Sequence, residues 1–283
     1  MHMPPTFLSQ QPPLVTIDDF VNTYRDPNDY RARRGVAFLE PKGVLPLTYH
    51  NAHLPDLNIL AAWLHWSGSI WRNEGRIHAQ PEQKGNIKQA AENLDLKLRD
   101  KSPTEPAFEN GTWYARVLES MGIHNSQGSL KAQDTKAKHN IQVLPYIRFL
   151  AEHFSNYHVM HGEDRKIATK LLVDHCKILL LARFRKYRNQ HYLDLPANAE
   201  SEDIARRLAQ QVIGMFNAVY PKMGLHPGLI SHYYHKERGN HHPRIDLPEE
   251  NLLAAMHHYG LFGFQPSSRY HSLGKKATGW ARK

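Results

Sequence analysis

The stretch Gly162 to His191, GEDRKIATKLLVDHCKILLLARFRKYRNQH, constrains this chain more than any other. It is the longest uninterrupted helical pattern in the sequence, and its middle is nearly all apolar. A helix that is apolar on every side belongs inside a domain, with other elements packed around it. Within the apolar part sits the run Asp174-His175-Cys176. Buried polar groups need partners, so this run is either a structural hydrogen-bond site or the floor of an active site. Adjacent helical residues point about 100° apart. His175 and Cys176 therefore do not face each other, and Cys176 reads as a small core residue.

The flanking sequence is read as mostly helical. Thr16 with Asp19 forms a capping box that opens a short helix, Ile17–Tyr24. Val36–Leu39 and Val44–Thr48 are β-like segments around Pro41-Lys42-Gly43, a small hairpin. An apolar helix follows at Leu57–Trp71, and Asn86 caps a charged amphipathic helix, Ile87–Arg99. Thr112–Met121 is a short helix closed by Gly122. Residues 123–140 lack apolar periodicity, and Ile141–His158 is helical. Glu200–Tyr220 carries apolar residues at helical spacing. Pro227 opens a short helix through Tyr233–His235, and Asp246 with Glu249 opens a last one to His258. No internal repeat is visible. The expected fold class is all-α, a mainly helical single domain with a small β element near residues 36–48. The expected organisation is an extended arm at 1–15, one helical domain at 16–266 and a basic tail at 267–283.

Charge is what composition adds. Against 36 Lys and Arg stand 27 Asp and Glu, a formal net charge of +9, with 20 histidines besides. Such a surplus favours an anionic partner: a phosphate ester, an acidic protein or a nucleic acid. Solubility alone is the competing reading. The single cysteine excludes an intrachain disulfide framework and any Cys-rich zinc site. No run of about 18 apolar residues marks a membrane span, and the N-terminal residues lack the pattern of a secretory signal.

Three constellations bear on chemistry. The first joins His50 and His53, just ahead of the apolar helix, with Arg116, Glu119 and His175. Arg116 and Glu119 are three apart and share a helix face. Two imidazoles and a carboxylate suffice for phosphoester chemistry without a metal or other cofactor, and an arginine holds phosphate oxygens. The competing reading is a surface ion pair and a satisfied core histidine. The second is the histidine-rich run His226 to His242, in which Arg238, Asn240 and His241 are candidate phosphate contacts. Imidazoles also bind divalent metals, but this spacing fits no defined site, and a basic aromatic surface loop explains it as well. The third is Arg183-Phe184-Arg185-Lys186-Tyr187-Arg188, basic residues interleaved with aromatics as in nucleic-acid contacts. Ordinary helix-end electrostatics also accounts for it.

Tyr49-His50-Asn51-x-His53 resembles the first histidine motif of HD-type phosphodiesterases, one residue shorter. Asp174-His175 reverses their metal-binding His-Asp pair. The order of His50/His53, the Arg116-x-x-Glu119 segment and the His175 to Arg183 segment is similar to the metal-free phosphodiesterase domain of SidE-type bacterial effectors. That resemblance covers about residues 45–190. It implies a phosphodiester hydrolase or transferase acting on a phosphoribosyl-modified protein, working in the cytoplasm or secreted into a host cell. His50 or His53 would be nucleophile or base, with Glu119 and His175 as proton-transfer groups and Arg116 and Arg183 holding phosphate. Two rivals remain. One is a non-enzymatic helical module that binds nucleic acid or an acidic protein. The other is a ribonuclease of the helical HEPN type, whose loose Arg-x(4–6)-His signature is met by Arg185 and His191.

Overall fold

A computed structural model describes residues 13–24, 26–71, 74–77, 79, 84–100, 106–109, 112–121, 162–187, 190–195, 201–235 and 240–261. The chain opens with α1 (Ile17–Val21), whose capping box forms: Asp19 N–H donates to Thr16 Oγ1 at 3.0 Å, and Thr16 N–H donates to Asp19 Oδ2 at 2.8 Å. Next comes α2 (Tyr30–Leu39), capped by Asp29. The hairpin expected around residue 41 is absent. Asp29 nucleates a helix across Val36–Leu39 instead, and Val44–Thr48 contributes only an isolated bridge, Val15 to Leu47. Gly35 brings α2 close to its neighbours. A Cβ there would lie 2.7 Å from both Phe20 of α1 and Trp113.

The rest of the fold is one arrangement used twice. The first half runs α3 (Leu54–Ser67), β1 (Gly68–Trp71), β2 (Glu74–Ile77), α4 (Lys84–Asn93), β3 (Lys97–Asp100), β4 (Pro106–Glu109), α5 (Thr112–Ser120). The second runs α6 (Gly162–Arg183), β5 (Phe184–Tyr187), β6 (Gln190–Asp194), α7 (Glu202–Val219), β7 (Ile230–His235), β8 (Asn240–Asp246), α8 (Glu249–His258). Both give an antiparallel four-stranded sheet, in the order β1-β2-β4-β3 and β5-β6-β8-β7. The fold is therefore α/β, which corrects the all-α expectation. It also supplies the internal repeat that the sequence hides.

The reason for the error is local. Leu57–Trp71, Ile87–Arg99 and Gly162–His191 each read as one helix, and each changes to strand partway. The change comes at Gly68, Lys97 and Phe184. Gly68 leaves α3 with extended backbone, φ −152° and ψ −162°. After Arg183 the residues Phe184, Tyr187 and Tyr192 favour a pleated, half-buried surface over a helix. Likewise Pro227–Leu229 is a single 3-10 turn that leads into β7, where a helix had been expected. The helix expected at 141–158, the loop at 123–140 and the basic tail lie outside the described residues.

At the centre α3 packs against α6, and both are buried on most sides. Asn58 Nδ2 donates to the Leu171 carbonyl, and Trp66 Nε1 donates to His175 Nε2. Near its end α6 sends the Arg183 guanidinium to the Trp66 carbonyl. These contacts advance together along both helices, so α3 and α6 run in the same direction. Their two negative dipole ends then meet, and Arg183 places a cation there. Buried apolar residues from both halves form one continuous cluster.

Candidate nucleic-acid interface

The residues proposed for phosphoester chemistry sit among separate partners. His50 Nε2 lies 2.7 Å from Asp164 Oδ1, in the first turn of α6, in an exposed hydrogen-bonded contact. His53 Nε2 meets the Lys42 carbonyl at 2.9 Å. Arg116 Nη1 donates to Glu119 Oε2 at 2.7 Å and to the Thr23 carbonyl at 2.8 Å, with its guanidinium over the Tyr24 ring. This trio locks α5 to the end of α1. His175 has no solvent exposure at all. Burial, then the nearby His65, hold its imidazole well below the usual histidine range, so it is neutral. Since Trp66 donates to Nε2, the proton sits on Nδ1. A sealed, neutral imidazole cannot exchange protons with a substrate in solution. Of the two meanings open for the Asp174-His175-Cys176 run, the structural one holds. Asp174 instead pairs with Lys170 on the helix surface. Burial raises the Cys176 thiol far above its ordinary value.

The ribonuclease pairing fails on geometry. Arg185 and His191 lie on adjacent strands, where Lys186 is paired with His191 and Arg185 with Tyr192. Alternation along a strand puts neighbouring residues on opposite faces, so Arg185 and His191 point to opposite sides of the sheet. Arg185 is buried and its guanidinium donates to the carbonyls of Phe184 and Ala182. Of the histidine-rich run, Arg238 lies outside the described residues, and for Asn240 only the backbone pairing with His235 is described. The His241 ring is tilted against those of His232 and Tyr234, at 53° and 48°, with ring centroids 4.9 and 4.8 Å apart. Among the described residues no group of three or more His, Cys, Asp or Glu is placed to hold a metal ion. None of the helices there is long and apolar enough to cross a membrane.

The second sheet gathers what the sequence left scattered. Its register aligns Phe184, Leu193, Ile245 and Ile230 across the four strands, and this row packs into the core. Two residues along β7, on the same face, His232 reaches Glu202 at the start of α7. The opposite face therefore carries Tyr192 and Asp194 of β6, His242, Arg244 and Asp246 of β8, and Ser231 and Tyr233 of β7. Arg244 is the hub of this face. Its guanidinium carbon lies 4.6 Å from the Tyr192 ring centroid and 5.2 Å from that of Tyr233. Its Nε is 3.5 Å from Asp194 Oδ1. Ser231 donates to Asp246 at 3.0 Å. Tyr233 is half exposed, and the Arg244 side chain keeps 27% of its surface open. Sequence reasoning missed this group because its members come from three strands. The available signal was the alternation Ser231, Tyr233 and His242, Arg244, Asp246 in a run first read as helix and loop.

No protein-family model matches the chain, and no curated protein does. Among solved structures it is similar to the N-terminal LAGLIDADG domain of DUF199/WhiA, with TM-score 0.38 and 9% identity over 76% of this chain and 86% of that one. It is also similar to mesophilic variants of the homing endonuclease I-DmoI, at TM-score 0.34 and 7% identity over 72% of this chain and 95% of the other. I-DmoI in complex with DNA and Mn matches at TM-score 0.34 and 8% identity, covering 72% and 96%. None of these is a SidE-type phosphodiesterase domain. That resemblance, and with it the effector and phosphodiester-hydrolase reading, is withdrawn. Of the short motifs that carried it, His50 and His53 lie in the turn ahead of α3, Arg116 and Glu119 lie on α5, and His175, its second proton-transfer group, is sealed in the core.

Proposed function

We propose that this chain binds duplex DNA through the outer face of the sheet β5-β6-β8-β7. The observation that carries the reading is the Tyr192–Arg244–Tyr233 group, an arginine whose guanidinium carbon lies 4.6 and 5.2 Å from two tyrosine ring centroids on the face turned away from α7. A two-stranded antiparallel ribbon fits the major groove of B-form DNA, where side chains reach base edges. β7 and β8 form such a ribbon, with six paired positions from Ile230–Ile245 to His235–Asn240. The formal charge of +9 supplies long-range attraction to a polyanion.

The test is fluorescence anisotropy of the full chain with a labelled 30-base-pair duplex at about 50 mM salt. Micromolar or tighter binding is expected, weakened in Tyr233→Ala and Arg244→Ala. A wild-type protein that leaves the duplex free at low salt overturns the reading. An acidic protein partner then takes its place.

A further inference from the structure

We propose that Arg244 reads guanine: its guanidinium is a pre-oriented two-pronged donor for the N7 and O6 acceptors of one guanine in the DNA bound by this sheet. The inference rests on the DNA-binding reading above and deepens it. Three features fix the side chain. Tyr192 and Tyr233 flank its guanidinium, 4.6 and 5.2 Å from their ring centroids. Asp194 Oδ1 lies 3.5 Å from Nε, an ion pair without a hydrogen bond. Among the described residues nothing hydrogen-bonds the two terminal nitrogens, and the side chain is partly open to solvent. An arginine so held has lost its rotamer freedom before binding, which lowers the cost of each hydrogen bond it later forms.

The chemistry of the neighbours selects the target. Asp194 offsets much of the charge that would draw Arg244 to a phosphate. What remains is direction: two parallel N–H groups in one plane. A guanine presents two acceptors in one plane on its major-groove edge, and arginine to that edge is the commonest specific contact to DNA. Adenine offers an acceptor beside a donor there and would oppose one prong. A-form RNA hides the same edge in a groove too narrow for side chains, so B-form DNA is the duplex that suits the site. Asp246 and the Ser231 hydroxyl bound to it lie on the same face. The carboxylate there suits a cytosine amino group on a neighbouring pair.

A randomised duplex library enriched on the full-length protein supplies the preferred sequence. Each guanine in it is then replaced, one at a time, by 7-deazaguanine, which keeps base pairing and loses the N7 acceptor. One position is expected at which the replacement weakens wild-type binding roughly tenfold. The same replacement should leave Arg244→Met unchanged, because a methionine side chain has no N–H to donate to N7. Wild type with deazaguanine needs no folded variant, so the result stands even where Arg244→Met is unstable. Binding to duplex with no guanine sensitive to the replacement overturns the inference and leaves the DNA-binding reading standing. A sensitive guanine that stays sensitive in a folded Arg244→Met protein assigns the contact to another residue and also overturns it. Failure to bind any duplex defeats both.

Discussion

His175 shows what a single buried side chain costs and contributes. Its imidazole accepts from the Trp66 indole at 2.7 Å in the seam between α3 and α6. Trp66→Phe removes that donor and strands a buried acceptor, which should cost about 1–3 kcal/mol in denaturant unfolding. The pH dependence has a definite sign. Burial depresses the folded-state pKa of His175 below its ordinary value of 6.5. Below about pH 6.5 the unfolded chain takes up a proton that the native state refuses. Stability therefore falls as pH falls, by up to about 1.4 kcal/mol per pH unit from this one group. His175→Gln keeps an acceptor for Trp66 and does not titrate. Relative to wild type, its stability between pH 7.5 and 5 should be flatter by that amount. Equal slopes in the two proteins would remove His175 from the acid sensitivity. The sequence made this residue conspicuous, since an imidazole stood among leucines. It could not show whether the partner was a substrate or the indole of Trp66, which lies 109 positions away.

At the scale of elements, packing overrides local preference, and Gly35 is the clearest case. Replacing a mid-helix glycine by alanine ordinarily stabilises by about 0.5–1 kcal/mol. Here the added Cβ would sit 2.7 Å from Phe20 and from Trp113, against the cores of both rings' packing. Overpacking of this kind typically costs about 1–3 kcal/mol. Gly35→Ala should therefore lower the melting temperature, and a rise would show that α1 and α5 move apart without loss. Arg183 works at an element boundary. It serves the last turn of α3 from the end of α6, where two parallel helices bring their C-termini together. Arg183→Met keeps most of the apolar stem and removes the donor. A loss of about 1–2 kcal/mol is expected by chemical denaturation. The helices were legible because each carries an apolar stripe or an all-apolar middle over ten or more residues. The strands were not. β1 to β5 are four residues each, too short to show alternation, and each of β1, β3 and β5 follows its helix with at most three residues between. Phe184 and Tyr192 were available as strand formers, but the density of Arg and Lys around them pointed to a charged helix end.

For the whole molecule, the two halves repeat an order of elements without repeating a sequence. LPDLNILAAWLHWS and GEDRKIATKLLVDHCKILLLAR share little beyond apolar residues where the helices touch, which is all that the packing demands. The two sheets share one strand order, and in the proposed reading duplex DNA lies against the outer face of the second. The binding should then be governed by counterion release. If about four phosphates are neutralised, affinity falls roughly a hundredfold between 50 and 200 mM salt. The slope of log affinity against log salt separates the roles of the cations. A residue that contacts phosphate reduces the slope by about one when removed, and a residue that contacts a base leaves it unchanged while lowering affinity at every salt concentration. Arg244, ion-paired to Asp194 and flanked by tyrosines, belongs to the second kind. Arg244→Gln should shift the salt titration down without tilting it. A titration that loses a full unit of slope in this variant would make Arg244 a phosphate contact, and a wild-type slope near zero would mean that the +9 charge of the chain does not act on DNA.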